Sequence, residues 1–154
     1  MNGNVVTVER LVHAPAEAIF AIVADPGRHR DIDGSGAIQG AKADAPQRLA
    51  LGSKFGMSMR VGIPYSMVST VIEFENNRRI AWQTRPPGLV GRIAAGRIWR
   101  YELEPVEGGT LVKESWDLTQ DMQRWFLKMG PLPEATRKNM EKTLARIEEL
   151  TAST

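Results

Sequence analysis

The sequence predicts an α+β domain in which a curved antiparallel sheet packs against one long C-terminal helix. Two observations carry that expectation. Runs of alternating apolar and polar residues follow one another from residue 54 to residue 118, mostly with short turns between them. Beyond Gly130-Pro131-Leu132-Pro133, Thr136, Met140, Leu144 and Ile147 then form a stripe at helical spacing, with Glu134, Lys138, Glu141, Lys142 and Glu148 mostly elsewhere. A sheet with one apolar and one polar face is antiparallel with one side in water, and the helical stripe is its natural cover. The chain has 154 residues, of which 42% are hydrophobic and 25% charged. That suffices for one core without disulfides, and the whole of 1–154 reads as a single domain.

Taken in order, residues 5–12 form a β-branched strand, ended by His13-Ala14-Pro15. Pro15 opens a helix over 16–24, with Ala16, Ile19, Phe20 and Val23 on one face, and Asp25-Pro26-Gly27 stops it. Residues 28–32 add a short second helical turn. Residues 36–42 are a weak, glycine-rich strand. In 54–61, Phe55, Met57, Met59 and Val61 share a face. In 66–75, Val68, Thr70, Ile72 and Phe74 are expected to face inward, opposite Glu73 and Glu75. Asn76-Asn77 turns the chain into 79–84, where Ile80, Trp82 and Thr84 point inward. After a long loop, 97–104 sets Trp99, Tyr101 and Leu103 against Arg100, Glu102 and Glu104. Residues 110–118 place Val112, Glu114, Trp116 and Leu118 on one side. Before the Gly130–Pro133 break, Trp125, Phe126 and Met129 are bulky and apolar.

Composition excludes several functions. There is no cysteine, hence no disulfide, thiolate metal site or cysteine nucleophile. No apolar run approaches the ~18 residues that span a bilayer. Met1-Asn2-Gly3-Asn4 lacks the basic-then-apolar pattern of a signal peptide, so a cytoplasmic location is the expectation. The net charge is +2 with basic residues scattered, which argues against nucleic acid. The two histidines, His13 and His29, have no partner at metal-ligand spacing, so no metal is expected. Gly34-Ser35-Gly36 lacks the strand before and helix after that a dinucleotide loop needs, and no P-loop or G-x-S-x-G occurs. No cofactor is expected.

The inner face is rich in Met57, Met59, Trp82, Trp99, Tyr101 and Trp116, where a plain core would favour Leu, Ile and Val. Methionine and aromatic side chains suit a surface that accommodates varied shapes, although they also simply fill a sheet–helix interface. The order of elements and particular residues carry a resemblance. These are 11–20 (LVHAPAEAIF) followed by Ala24-Asp25-Pro26, then 71–75 (VIEFE) with Arg78-Arg79-Ile80-Ala81-Trp82, and finally 137–141 (RKNME) with 144–147 (LARI). Together these resemble the polyketide cyclase/dehydrase and lipid-transport group of the SRPBCC superfamily, related to START lipid-transfer and birch-pollen-allergen proteins. The resemblance spans nearly the whole chain. It implies a helix-grip fold, with two short helices after the first strand and a deep cavity between sheet and final helix. It says less about chemistry, because the fold hosts both binding proteins and unrelated enzymes.

The expected ligand lining is Phe55, Met57, Met59, Val68, Thr70, Ile72, Trp82, Thr84, Trp99, Tyr101, Glu114, Trp116, Trp125, Met129 and Met140. Glu114 is conspicuous, since a carboxylate on an apolar face is costly to bury unpaired. Arg10, in phase with Val6, Val8 and Val12, is the partner the pattern offers, either for a ligand or as a structural ion pair. Candidates for proton transfer are Glu114, Tyr101 and His29. His29 with Asp31 and Asp33 forms either a gate at the pocket mouth or a solvated turn. The 85–97 loop carries Leu89, Val90 and Ile93 with Arg85, Arg92 and Arg97. It is either a tucked-in connection or a lid able to touch an anionic membrane transiently. The leading expectation is a binder or carrier of a hydrophobic small molecule, whether lipid, polyketide-like or aromatic. Alternatives are a cyclase/dehydratase enzyme using the same cavity and a protein-interaction module.

Overall fold

The computed structural model describes residues 3–42 and 45–152. Seven strands form one antiparallel sheet in the order β1-β7-β6-β5-β4-β3-β2. They are β1 (Val5–Val12), β2 (Ile38–Ala41), β3 (Lys54–Val61), β4 (Ile63–Glu75), β5 (Arg79–Arg85), β6 (Arg97–Val106) and β7 (Gly109–Asp117). The helices are α1 (Ala16–Val23), α2 (His29–Ile32), α3 (Arg124–Leu127) and α4 (Leu132–Ala152). Strands β3 to β7 follow the sheet order as a meander, so each pairing is closed by a local turn. Only β1, carried across to β7, needs a long-range pairing.

Helix α4 lies along β1 and β7, with α1 and α2 beside it. Its apolar stripe is inward as expected: Met140, Leu144 and Ile147 are all buried. The break before it is tighter than the sequence implies. Gly130 takes a left-handed φ of 75°, and Pro131 immediately precedes the helix. Pro133 sits in the first turn, where an amide would have no intrahelical partner. Where α4 passes the loop after α2, the backbones nearly touch. A Cβ on Gly34 would lie 2.0 Å from the Asn139 carbonyl oxygen. The Gly34 amide donates to the Thr143 hydroxyl at 2.9 Å, and Arg146 donates to the Asp33 carbonyl. This contact holds the loop against the helix and closes one flank of the core.

Strand β4 departs from the expected alternation. Phe55 pairs with Ser69 and Met57 with Met67, while Val71 pairs with Trp82. Directly paired residues share a face, so Met67, Ser69 and Val71 point inward, and Val68, Thr70 and Ile72 point outward. A bulge between Val71 and Glu73 restores Phe74 to the inner face, opposite Ile80. Val71 is 1% exposed and Ile72 36% exposed. The extra residue thus splits a run that reads as one uninterrupted alternation.

The opposite, outer face of the sheet carries a charge lattice. Arg100 on β6 reaches Glu73 on β4 at 2.6 Å and Asp117 on β7 at 3.3 Å. The guanidinium hydrogen bonds hold the Glu73 carboxyl below its usual range. This fork spans four neighbouring strands and leaves the inner face free of charge except at Arg10, Arg97 and Glu114.

Candidate functional site

The inner face divides into a sealed half and an open half. Around the β4–β5 and β6–β7 turns, Val12, Phe20, Ile80, Leu103 and Val112 are fully buried or nearly so. Toward the other end, Met59, Met67, Thr84 and Trp99 are only half-buried. Helix α4 packs chiefly against β1 and β7, at the opposite edge of the sheet from β3 and β4. The hairpin joining β3 and β4 continues the same face outward: Val61 is 68% and Ile63 74% exposed.

Two other segments meet at this end. Leu89, Val90 and Ile93 project from the β5–β6 connection, and Met122, Trp125, Phe126 and Met129 from the α3 region, all exposed. Hydrogen bonds hold these segments together: Met122 N–H to the Ala95 carbonyl at 3.0 Å, and Ala95 N–H to Gln123 Oε1 at 2.5 Å. The buried carboxylate of Asp121 pairs with Arg97 at 3.1 Å and braces the junction. The open end of the sheet therefore wears a collar of apolar side chains. Two surface depressions, of about 360 and 280 Å³, lie elsewhere. One is on the outer face near Arg78, Glu102 and Lys113 and is lined mainly by charged groups; the other, at the β3–β4 edge, mixes Lys42, Ser58 and Arg60 with Met59, Pro64 and Tyr65.

Deeper on the inner face lies a cluster of aromatic and titratable groups. Trp99 and Trp116 are cross-strand partners with ring centroids 6.3 Å apart. One step further in, Glu114 pairs with Tyr101 on β6 and Val8 on β1. Glu114 is 3% exposed and its Oε1 has no hydrogen-bond partner. Burial raises its pKa from 4.5 to about 8, a hydrogen bond from Tyr101 offsets part of this, and the nearby Asp33 charge adds to it. Burial likewise pushes the Tyr101 phenol up, reinforced by Glu114. Tyr101 neighbours Trp82, and Trp82 stacks on His29 with centroids 4.9 Å apart and an interplanar angle of 20°.

Several expected positions are corrected. His29 does not sit at a pocket mouth. It is the first residue of α2, 4% exposed, with Nε2 2.7 Å from the Val23 carbonyl oxygen. A carbonyl only accepts, so Nε2 carries the proton and the ring is the Nε2–H tautomer. Burial depresses its pKa. His29, Asp31 and Asp33 do not form one gate: Asp31 pairs with Arg28 at 3.2 Å, and Asp33 caps its own loop through Ser35 and Ile38. Arg10 does not meet Glu114. It faces Val112 in the register and binds Glu148 of α4 at 2.9 Å, together with His13. Val68, Thr70 and Ile72 lie on the outer face. Trp125 and Met129 stand on the collar, 68% and 72% exposed, rather than on the wall. Phe55, Met57, Met59, Trp82, Thr84, Trp99, Tyr101, Glu114 and Trp116 are placed inward as the alternation requires, and Met140 as the helical stripe requires. Sequence reasoning missed Met67, Ser69 and Val71, because the bulge that turns them inward has no local signature. Ser69 and Thr84 satisfy each other at 2.9 Å. Among the described residues no cluster suited to a metal is present, and no helix is long and apolar enough to cross a membrane.

Residues 4–151 match the family described as polyketide cyclase / dehydrase and lipid transport. The uncharacterized protein Rv0088 of Mycobacterium tuberculosis is 34% identical over 146 residues, covering 90% of this chain and 60% of its own length. The chain thus spans about 60% of that curated relative. Among solved structures, protein NE0264 from Nitrosomonas europaea superposes with a TM-score of 0.74 at 16% identity, over 99% of this chain and 97% of its own. The AHSA1-like protein from Aeromonas hydrophila gives 0.67 at 17% identity, over 97% and 92%. At such identities the structural likeness shows the helix-grip fold and nothing finer.

Proposed function

Because the chain belongs to the polyketide cyclase / dehydrase and lipid transport family, we propose that it binds a hydrophobic small molecule on the inner face of its sheet. The molecule enters through the open end. The observation that carries this reading is the gathering of apolar side chains at one end of the sheet, where Met59, Met67 and Trp99 are half-buried and Ile63, Leu89, Ile93, Trp125 and Phe126 are exposed. Scattered exposed apolar residues need no explanation, whereas a contiguous set around a concave face marks a binding surface. Each Å² of apolar ligand surface removed from water there contributes ~25 cal/mol before ordering costs. Methionines on the wall adapt to ligand shape, which suits a lipid, polyketide-like or aromatic occupant.

A second reading, a cyclase/dehydratase, draws on the adjacency of Glu114 and Tyr101, two buried groups able to hand a proton to a substrate. Against it, His29 is tied to a backbone carbonyl and shielded by Trp82, so it has no free path to a reacting atom.

Native mass spectrometry of protein purified from its own host tests the binding reading, followed by titration with fatty acids, sterols and aromatic ketones. A co-purifying small molecule, or saturable shifts of the Met59 and Met67 methyl resonances, supports it. Absence of both removes it, and turnover of a bound ketone transfers weight to the enzyme reading.

A further inference from the structure

Among the described residues, one buried side-chain polar atom is left unsatisfied by the fold. Glu114 Oε1 is buried and without a partner. An unmade hydrogen bond at a buried group costs about 1–3 kcal/mol, so its persistence asks for something that completes it. Its surroundings restrict what that is. Arg10, the one cation in phase with it on β1, is taken by Glu148. The ionisable groups bearing on the carboxyl are Tyr101 from β6 and Asp33 from the loop after α2; His29 of α2 lies beyond Tyr101 and Trp82, and its pKa is depressed. None of these offers positive charge. The apolar residues Val112 and Trp116 flank it along β7, and Val8 faces it from β1.

Resting on the binding reading above, we infer that Glu114 is the polar contact for the bound molecule. Its carboxyl donates a hydrogen bond to an uncharged carbonyl oxygen, and the site rejects molecules whose polar group is anionic. A ligand carboxylate at this depth would meet Glu114 and the charge of Asp33, while Arg146, the cation at Asp33, is engaged by the Asp33 carbonyl oxygen, and burying a carboxylate unpaired is prohibitive. A neutral carbonyl needs a single donor, which the neutral carboxyl supplies. The Glu114–Tyr101 rung lies two residues, about 7 Å, inward of the Trp99–Trp116 rung, and Trp99 is half-buried.

Four naphthalene probes of matched size separate the possibilities: 2-acetonaphthone, 2-isopropylnaphthalene, 2-naphthoate and 2-naphthylmethylammonium. Each is titrated against the full chain with methionine methyl signals as readout. The expected result at pH 6.5 is that the ketone binds at least fivefold tighter than the hydrocarbon and at least twentyfold tighter than the carboxylate. Glu114→Gln, whose amide still donates, keeps the ketone preference within about threefold, while Glu114→Leu abolishes it. Raising the pH from 6.5 to 9.5 weakens ketone binding to the wild type and leaves Glu114→Gln unchanged. Equal binding of ketone and hydrocarbon, or tighter binding of the carboxylate or the ammonium, overturns the inference while leaving an apolar site intact. If none of the four binds, the underlying reading fails together with it. Unfolding of Glu114→Leu would leave the ketone-to-hydrocarbon ratio and the Glu114→Gln pH comparison as the deciding measurements.

Discussion

A strand that alternates faithfully exposes its own anomalies, and alternation alone located Glu114. Its partner could not be read the same way. Arg10 shares the inner face, yet which helix residue meets it depends on how α4 crosses β1, and that crossing brings Glu148 instead. The energetic consequence falls on pH dependence. With its pKa raised from 4.5 to about 8, Glu114 keeps its proton in the folded state while the unfolded chain releases it. Its contribution is therefore fully present below pH 4.5 and is lost as the pH rises toward 8. The loss between pH 5 and 8 is on the order of 4 kcal/mol. His29 acts with the opposite sign. Its depressed pKa stabilises the fold above 6.5, and that contribution fades as the pH falls below it. Urea unfolding at pH 5, 6.5 and 8 isolates the first effect when wild type is compared with Glu114→Gln. The variant should close most of the gap at pH 8, and parallel pH profiles for the two proteins would contradict the assignment.

Among the elements, those with a single strong period were legible in advance. The strands β1, β3, β5, β6 and β7 and the stripe of α4 fall where their patterns put them. Strand β4 was legible as a strand but not in its facing. Its sequence offers apolar residues in both phases, Met67 and Val71 in one, Val68 and Ile72 in the other. Only cross-strand register chooses between them. Mutation can check that choice directly. Val71→Ala removes a buried side chain and should cost about 2 kcal/mol, whereas Ile72→Ala on the outer face should cost well under 1 kcal/mol. Reversal of that order in denaturant unfolding would mean the bulge is misplaced. The Gly34 contact with α4 was equally invisible, since close approach of two backbones depends on tertiary geometry. Gly34→Ala must displace either Asn139 or the loop, and should destabilise by about 1–3 kcal/mol, read as a lower urea midpoint at unchanged m-value.

At the scale of the whole molecule, charge and apolar exposure coincide at one end. The segments 58–66, 85–97 and 119–133 hold six basic residues, Arg60, Arg85, Arg92, Arg97, Arg124 and Lys128, against one acidic residue, Asp121. Asp121 is buried against Arg97, so it does not offset the rest. Trp125 is exposed there, with Lys128 Nζ 4.7 Å and Arg124 Cζ 5.7 Å from its ring centroid. A tryptophan at a polar–apolar boundary, flanked by cations and followed in the chain by Phe126, is the composition that partitions into an anionic bilayer interface. We expect the chain to sediment with vesicles containing phosphatidylserine and not with neutral phosphatidylcholine vesicles, and to be released by raised salt. Each basic residue near such a surface contributes about 1 kcal/mol, so Arg92→Glu should weaken binding at least tenfold. Trp125→Ala with Phe126→Ala should do the same through lost apolar burial. Arg92 is no part of the apolar wall or collar, so binding of a soluble ketone probe should survive Arg92→Glu. If the double variant instead abolishes self-association in sedimentation and leaves vesicle binding unaltered, the collar is an interface between copies of the chain.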